Sequence, residues 1–177
     1  MSEIETLVAQ KKWKAAQALL QRELLTSPTD HWVWFTLSLT YYEQKQYEQA
    51  LACSKRAVQL QPDCPLALWH YAGSLSMNGK EDAAVAIWTV LLDMDIEQVA
   101  YGECGEGMDW ALRLINDVQY RLGRYFQRHG RTELACVYGI GNDVDASSGH
   151  AVFCSYLLGH LRGGQENTLG VLQGESL

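Results

Sequence analysis

The chain has 177 residues, 47% hydrophobic and 20% charged, which suits a single folded domain able to bury about two-thirds of the surface its unfolded chain exposes. A formal net charge of −7 argues against a nucleic-acid partner, because gripping a phosphate backbone needs a surplus of Lys and Arg on at least one face. No run of about 18 apolar residues is present to span a membrane, and Met1-Ser2-Glu3-Ile4-Glu5 lacks the basic and apolar regions of a signal peptide. The cysteines Cys53, Cys64, Cys104, Cys136 and Cys154 are odd in number and irregularly spaced, with no C-x-x-C pair. A reducing cytoplasm fits them better than a disulfide framework or a zinc motif.

From the amino terminus the residues repeat with a period of 34. Trp34, Leu37, Ser38, Tyr41, Tyr47, Ala50, Ala57 and Pro62 set one period, and one step forward gives Leu68, Tyr71, Ala72, Leu75, Glu81, Ala84, Leu91 and Ile96. One step back gives Leu7, Trp13, Ala16 and Pro28. Turn signals fall between the periodic stretches. Ser27-Pro28-Thr29-Asp30 closes one helix and offers Asp30 to cap the next, Asp63-Cys64-Pro65 does the same, and Asn78-Gly79 provides a left-handed stop. Helices are predicted at about 2–9, 12–25, 31–44, 47–60, 65–77 and 81–93.

After Asp93 the register breaks at a segment rich in Gly and acid, Tyr101-Gly102-Glu103-Cys104-Gly105-Glu106-Gly107. A helix is predicted from about Asp109 to His129, with Ala111, Ile115, Val118, Leu122, Tyr125 and Phe126 along one stripe. The repeat resumes if a fourth unit begins at Asn116, which makes residues 99–115 a 17-residue interruption. A short helix near 132–140 and a last one at about 150–162 follow, the latter covering the apolar end of the stack. The predicted organisation is a repeat domain over 1–162, with units at about 1–30, 31–64, 65–98 and 116–149, and a flexible tail at 163–177.

The run Trp34-x2-Leu37-Ser38-x2-Tyr41, followed by Ala50 and Pro62, resembles the tetratricopeptide repeat family, with Ser38 in place of the usual glycine and Ser54 where a large aromatic is expected. Small residues at Ser38, Ala50 and Ala57 let paired helices approach, while Trp34, Leu37 and Tyr41 fill the space between them. The resemblance implies an all-α, right-handed superhelical solenoid of about four helix-turn-helix units with a carboxy-terminal capping helix. It also implies a concave groove lined by the first helix of each unit. On this chain the groove residues would be Trp32, Phe35, Leu39 and Tyr42 in the second unit, Trp69 in the third, and Tyr120, Arg121, Arg124 and Arg128 in the fourth. Aromatics at that density supply large contact area at low entropic cost. The alternative is that they pack on neighbouring helices or beneath residues 99–115.

Some members of the family hold the carboxylate tail of heat-shock chaperones in a Lys/Asn/Arg clamp. Here Phe35 and Leu39 occupy positions where Lys and Asn would be needed and only Arg121 matches, so an apolar or mixed peptide is the better ligand. Arg121, Arg124 and Arg128 share one helical face. They form a cationic strip for acidic groups, or a solvated face, or pair with Glu103, Glu106 and Asp109, folded back across the Gly-rich hinge.

His31, His70, His129, His150 and His160 are scattered, and although His150 and Cys154 share a helical face, His160 turns away from them. No catalytic set, metal site or cofactor is expected. The chain reads as a cytoplasmic, non-enzymatic protein-interaction adaptor or scaffold that binds a peptide segment of a partner protein. A secretion-type chaperone is the alternative within that class, and a small Cys/His-dependent enzyme or metal protein the alternative outside it.

Overall fold

The computed structural model describes residues 2–139, and every regular element among them is helical. In chain order these are α1 (Glu3–Ala9), α2 (Trp13–Leu24), α3 (His31–Glu43), α4 (Tyr47–Leu60), α5 (Pro65–Met77), α6 (Glu81–Asp93), α7 (Ile96–Tyr101), α8 (Met108–Arg128) and α9 (Thr132–Val137). The predicted capping helix at 150–162 and the tail at 163–177 lie outside the described residues, as do His150, Cys154 and His160.

Helix starts follow local chemistry. Asp30 caps α3 by accepting from the amides of Trp32 at 2.9 Å and Val33 at 3.4 Å, and Asp95 caps α7 in the same way through Glu97 and Gln98. At α5 the cap falls on Cys64 rather than Asp63: Pro65 takes the first helical position, so the residue before it becomes the cap, and its Sγ accepts from Ala67 N at 3.4 Å.

Within the first compact unit, Met1–Ile115, helices pack in sequence, each of α1 to α5 against the next and α5 against α6, with α3 also touching α5. This is the packing of a helical-repeat solenoid. The periodic small residues sit at its closest approaches: Ala16, Ser38, Ala50, Ala57, Ala72 and Ala84 have no exposed surface. Ser38, standing where glycine is usual, is accommodated because its hydroxyl donates to the Ala50 carbonyl on α4 at 2.8 Å. One core cluster joins Ile4, Ala16, Leu20, Val33, Leu37 and Cys53. Asn78 Nδ2, at the end of α5, donates to the Tyr47 carbonyl at the start of α4 at 2.8 Å.

The repeat is also written in the backbone. Lys11, Lys45 and Gly79 all have positive φ (55°, 60° and 75°), and they stand 34 residues apart. Each is followed by an amide that reaches back five residues, Lys12 to Leu7, Gln46 to Tyr41 and Lys80 to Leu75, at 2.9–3.0 Å. This is the Schellman closure of a helix whose next residue turns left-handed. Gly130 (φ 69°) closes the α8–α9 hairpin identically, with Arg131 N bonded to Phe126 O. It follows Gly79 by 51 residues, one period plus 17.

The extra residues contain α7, a helix absent from the sequence expectation, and a pinned turn where a hinge was expected. Gly102 N donates to Gln98 O at 2.8 Å, Gly105 N to Gly102 O at 2.9 Å and Gly107 N to Ala100 O at 2.9 Å. A Cβ at Gly105 would collide with the Ala100 carbonyl, so only glycine fits there. Val99, Ala100 and Ala111 form a small buried cluster below this turn.

The second compact unit begins at Asn116, within α8. In it Val118, Leu122 and Ala135 are fully buried. Phe126 stacks on Tyr138 with ring centroids 5.8 Å apart, and the Arg131 guanidinium lies over Phe126 at 5.3 Å.

Candidate functional site

The residues predicted to line a groove in the first compact unit fall on α3 and α5, which touch. Trp32, Leu39, Tyr42 and Trp69 are half-buried, an exposure that leaves apolar surface available without leaving the side chain free to wander. Tyr42 lies over Gly73, where a Cβ would stand 3.9 Å from the ring, and meets Tyr47 edge-on at 5.4 Å. Trp69 packs edge-on to His70 at 4.9 Å.

Phe35 differs from the expectation of a ligand-facing side chain. It is 8% exposed, and its ring meets that of His70 edge-on at 4.7 Å. The contact between α3 and α5 absorbs it. Phe35 and His70 therefore form a joint between the two helices, while Trp32 also packs against the Ile4–Leu20–Val33 core cluster.

In the second unit Tyr120 is 58% exposed, and Arg124 and Arg128 are exposed. Arg121 Nε donates to Asp117 Oδ2 at 2.6 Å, one turn earlier on α8. Arg128 Nε reaches the Arg124 carbonyl at 3.4 Å, and Arg124 Nη1 reaches Gln127 at 3.3 Å. Glu103 accepts a hydrogen bond from Gln61 Nε2 at 2.6 Å. That bond ties the 102–107 turn to the connection between α4 and α5.

The same turn brings together three residues the sequence left scattered. His31 is the first residue of α3, Cys64 caps α5, and Cys104 lies between the glycines of the turn. His31 Nε2 and Cys104 Sγ are 3.2 Å apart, and one donor atom from each of His31, Cys64 and Cys104 lies within 4.8 Å of the other two. Cys64 is buried, while the other two are half-buried. Two of the three stand near equivalent repeat positions, since Cys64 follows the capping Asp30 by one period. Nothing in the local sequence announces Cys104 as the third.

A Cys/His pair at 3.2 Å invites comparison with nucleophilic catalysis, which needs a thiolate at neutral pH. Burial, the hydrogen bond and charge of Cys64, and the charge of Glu103 push the Cys104 thiol the other way, from 9.0 up to about 12. Cys53, in the apolar core, is raised to about 11 by burial. Neither thiol is an activated nucleophile.

An open cleft of about 440 Å³ on the α1/α2 surface, lined by Ile4, Leu19, Arg22, Glu23 and Thr26 among others, contains none of the predicted groove residues. Among the described residues no helix is long and apolar enough to cross a membrane.

The recurring hairpins, their 34-residue left-handed closures and the small residues at their contacts find a match among known proteins. The tetratricopeptide repeat family model matches residues 7–66. Over that stretch the chain is similar to tetratricopeptide repeats. It is also similar to cellulose synthase operon protein C of Salmonella typhimurium, at 33% identity over 82 residues, which is 46% of this chain. The matched stretch covers only 7% of that relative. Tetratricopeptide repeats support protein–protein interaction in general.

Proposed function

We propose that this protein is a tetratricopeptide-repeat adaptor that binds a peptide segment of a partner along the α3/α5 face, through Trp32, Leu39, Tyr42 and Trp69. The observation that carries the reading is the half-burial of these four large side chains on two touching helices. Packing fixes their orientation in advance, so little side-chain entropy is lost when a ligand covers them. Their chemistry favours an apolar or mixed segment. Tyr120, Arg124 and Arg128 are surface groups of the second unit, and they supply that unit with an aromatic and cationic surface for acidic flanks of a ligand.

Affinity capture followed by mass spectrometry would provide the partner, and titration with its binding segment tests the face. Leu39→Ala and Trp69→Ala should each weaken binding by about 1–3 kcal/mol with the helical circular dichroism spectrum unchanged. Substitution of the exposed Arg56 serves as a control. Unaltered affinity in both face variants would remove the α3/α5 assignment.

A further inference from the structure

We propose that His31, Cys64 and Cys104 form a binding site for a zinc-class divalent cation, held by two thiolates and one imidazole with a fourth position open to solvent. The site is independent of the peptide-binding face, and neither reading depends on the other.

Donor chemistry selects the ion. Two sulfurs and one nitrogen suit zinc, which is borderline-soft, whereas calcium and magnesium require shells of oxygen. The geometry is close to what such an ion demands. With Zn–S near ~2.3 Å and Zn–N near ~2.0–2.1 Å, the donors of a tetrahedral site stand about 3.5–3.8 Å apart. Here all three lie within 4.8 Å of one another, with the His31–Cys104 pair at 3.2 Å. Small side-chain rotations convert one arrangement into the other.

The backbone holds the donors in place. Cys64 sits at the amino-terminal end of α5, where its Sγ is held by the Ala67 amide at 3.4 Å. His31 occupies the first turn of α3, whose entry is fixed by the Asp30 cap. Cys104 rides on a turn closed by the Gly105–Gly102 and Gly107–Ala100 backbone bonds and docked through Glu103 to Gln61. The carboxylate of Glu103, next in sequence to a ligand, adds negative charge that a dication neutralises. Half-burial of His31 and Cys104 leaves a side from which the ion enters and a water binds. A bound ion would fasten the 102–107 turn to the starts of two repeat helices.

The test uses the full chain, fully reduced and stripped of metal, titrated with Co²⁺ and then with Zn²⁺. Co²⁺ should produce thiolate-to-metal charge-transfer absorption with tetrahedral ligand-field bands, saturating at a single equivalent, and Zn²⁺ should displace it and raise the melting temperature. Cys64→Ser preserves an oxygen to cap α5, so it retains the fold while losing a sulfur ligand; it and Cys104→Ser should each diminish the absorption, and the double variant should abolish it along with the zinc-dependent melting shift. Cys53→Ala and Cys136→Ser should leave both intact. No charge-transfer absorption in the reduced protein, or the same absorption in a folded Cys64→Ser/Cys104→Ser variant, overturns the proposal.

Discussion

The repeat hairpins and the 94–107 segment lie in the same compact unit, yet they are held by different forces. Between α3, α4 and α5, stability comes from burial: Leu68 is 2% exposed, and Ala50, Ala57 and Ala72 are sealed against facing helices. The segment after α6 buries little beyond Val99 and Ala100, and relies on backbone hydrogen bonds at glycines, the Gln61–Glu103 bond and the His31–Cys104 contact. Apolar packing is non-directional and tolerates small displacements, whereas a turn built from a few polar contacts depends on the geometry of each one. One region supplies the frame, and the other supplies the adjustable part.

The sharpest way to break that contrast is to empty the frame. Leu68→Ala should lower the unfolding free energy by about 2–5 kcal/mol, the range for deleting a buried leucine where facing helices cannot fully close the gap. Denaturant unfolding followed by circular dichroism measures it, and a cost below about 1 kcal/mol would mean that α5 is not held by burial. Gly105→Ala attacks the other region. Its Cβ meets the Ala100 carbonyl, so the turn must shift, at a cost of about 1–3 kcal/mol. Hydrogen exchange should quicken across residues 96–107 while α3 and α4 keep their protection, and uniform loosening would show that the two regions unfold as one.

The smallest effect concerns pH. The Cys53 thiol, buried in the hairpin core, is raised from 9.0 to about 11. Below pH 9 both folded and unfolded chains keep the proton, so the stabilisation from burying a neutral thiol is complete. As pH rises from 9 towards about 11 the unfolded chain ionises first, and stability falls until the folded thiol ionises as well. Urea midpoints measured across that interval should decline less steeply in Cys53→Ala than in the parent protein. Parallel declines would show that burial of this thiol contributes nothing to the alkaline limb.

The repeat was legible because its determinants are local and periodic. Trp13, Tyr47 and Glu81 open the second helices of successive hairpins, and the six helices from α1 to α6 fall within about two residues of the positions that period predicts. The break in register was legible too, but not its contents. Asp95 is a readable cap, yet α7 has six residues, too few for a 3.6-residue pattern to emerge. Gly102, Gly105 and Gly107 suggested a hinge because sequence shows glycine's freedom and not the carbonyls that confine it. Phe35 looked like a ligand contact from its place on the first helix, but the ring of His70, a residue from the next repeat, covers it. The His31–Cys64–Cys104 cluster was illegible for a related reason: its members meet through a turn with no periodic signal, and no pair of them lies within metal-motif spacing.

The four left-handed closures have a consequence for how such a chain can grow. Each hairpin ends its first helix at its own residue, Lys11, Lys45, Gly79 or Gly130, using bonds that reach no further than five residues back. The corner is thus specified inside the hairpin and owes nothing to the length of chain joining it to its predecessor. Seventeen additional residues are present between the third corner and the fourth, and the fourth closes with the same bond as the others. Joints between hairpins are therefore the natural splice points of this architecture, where a segment carrying new chemistry can be inserted without redesigning a single turn.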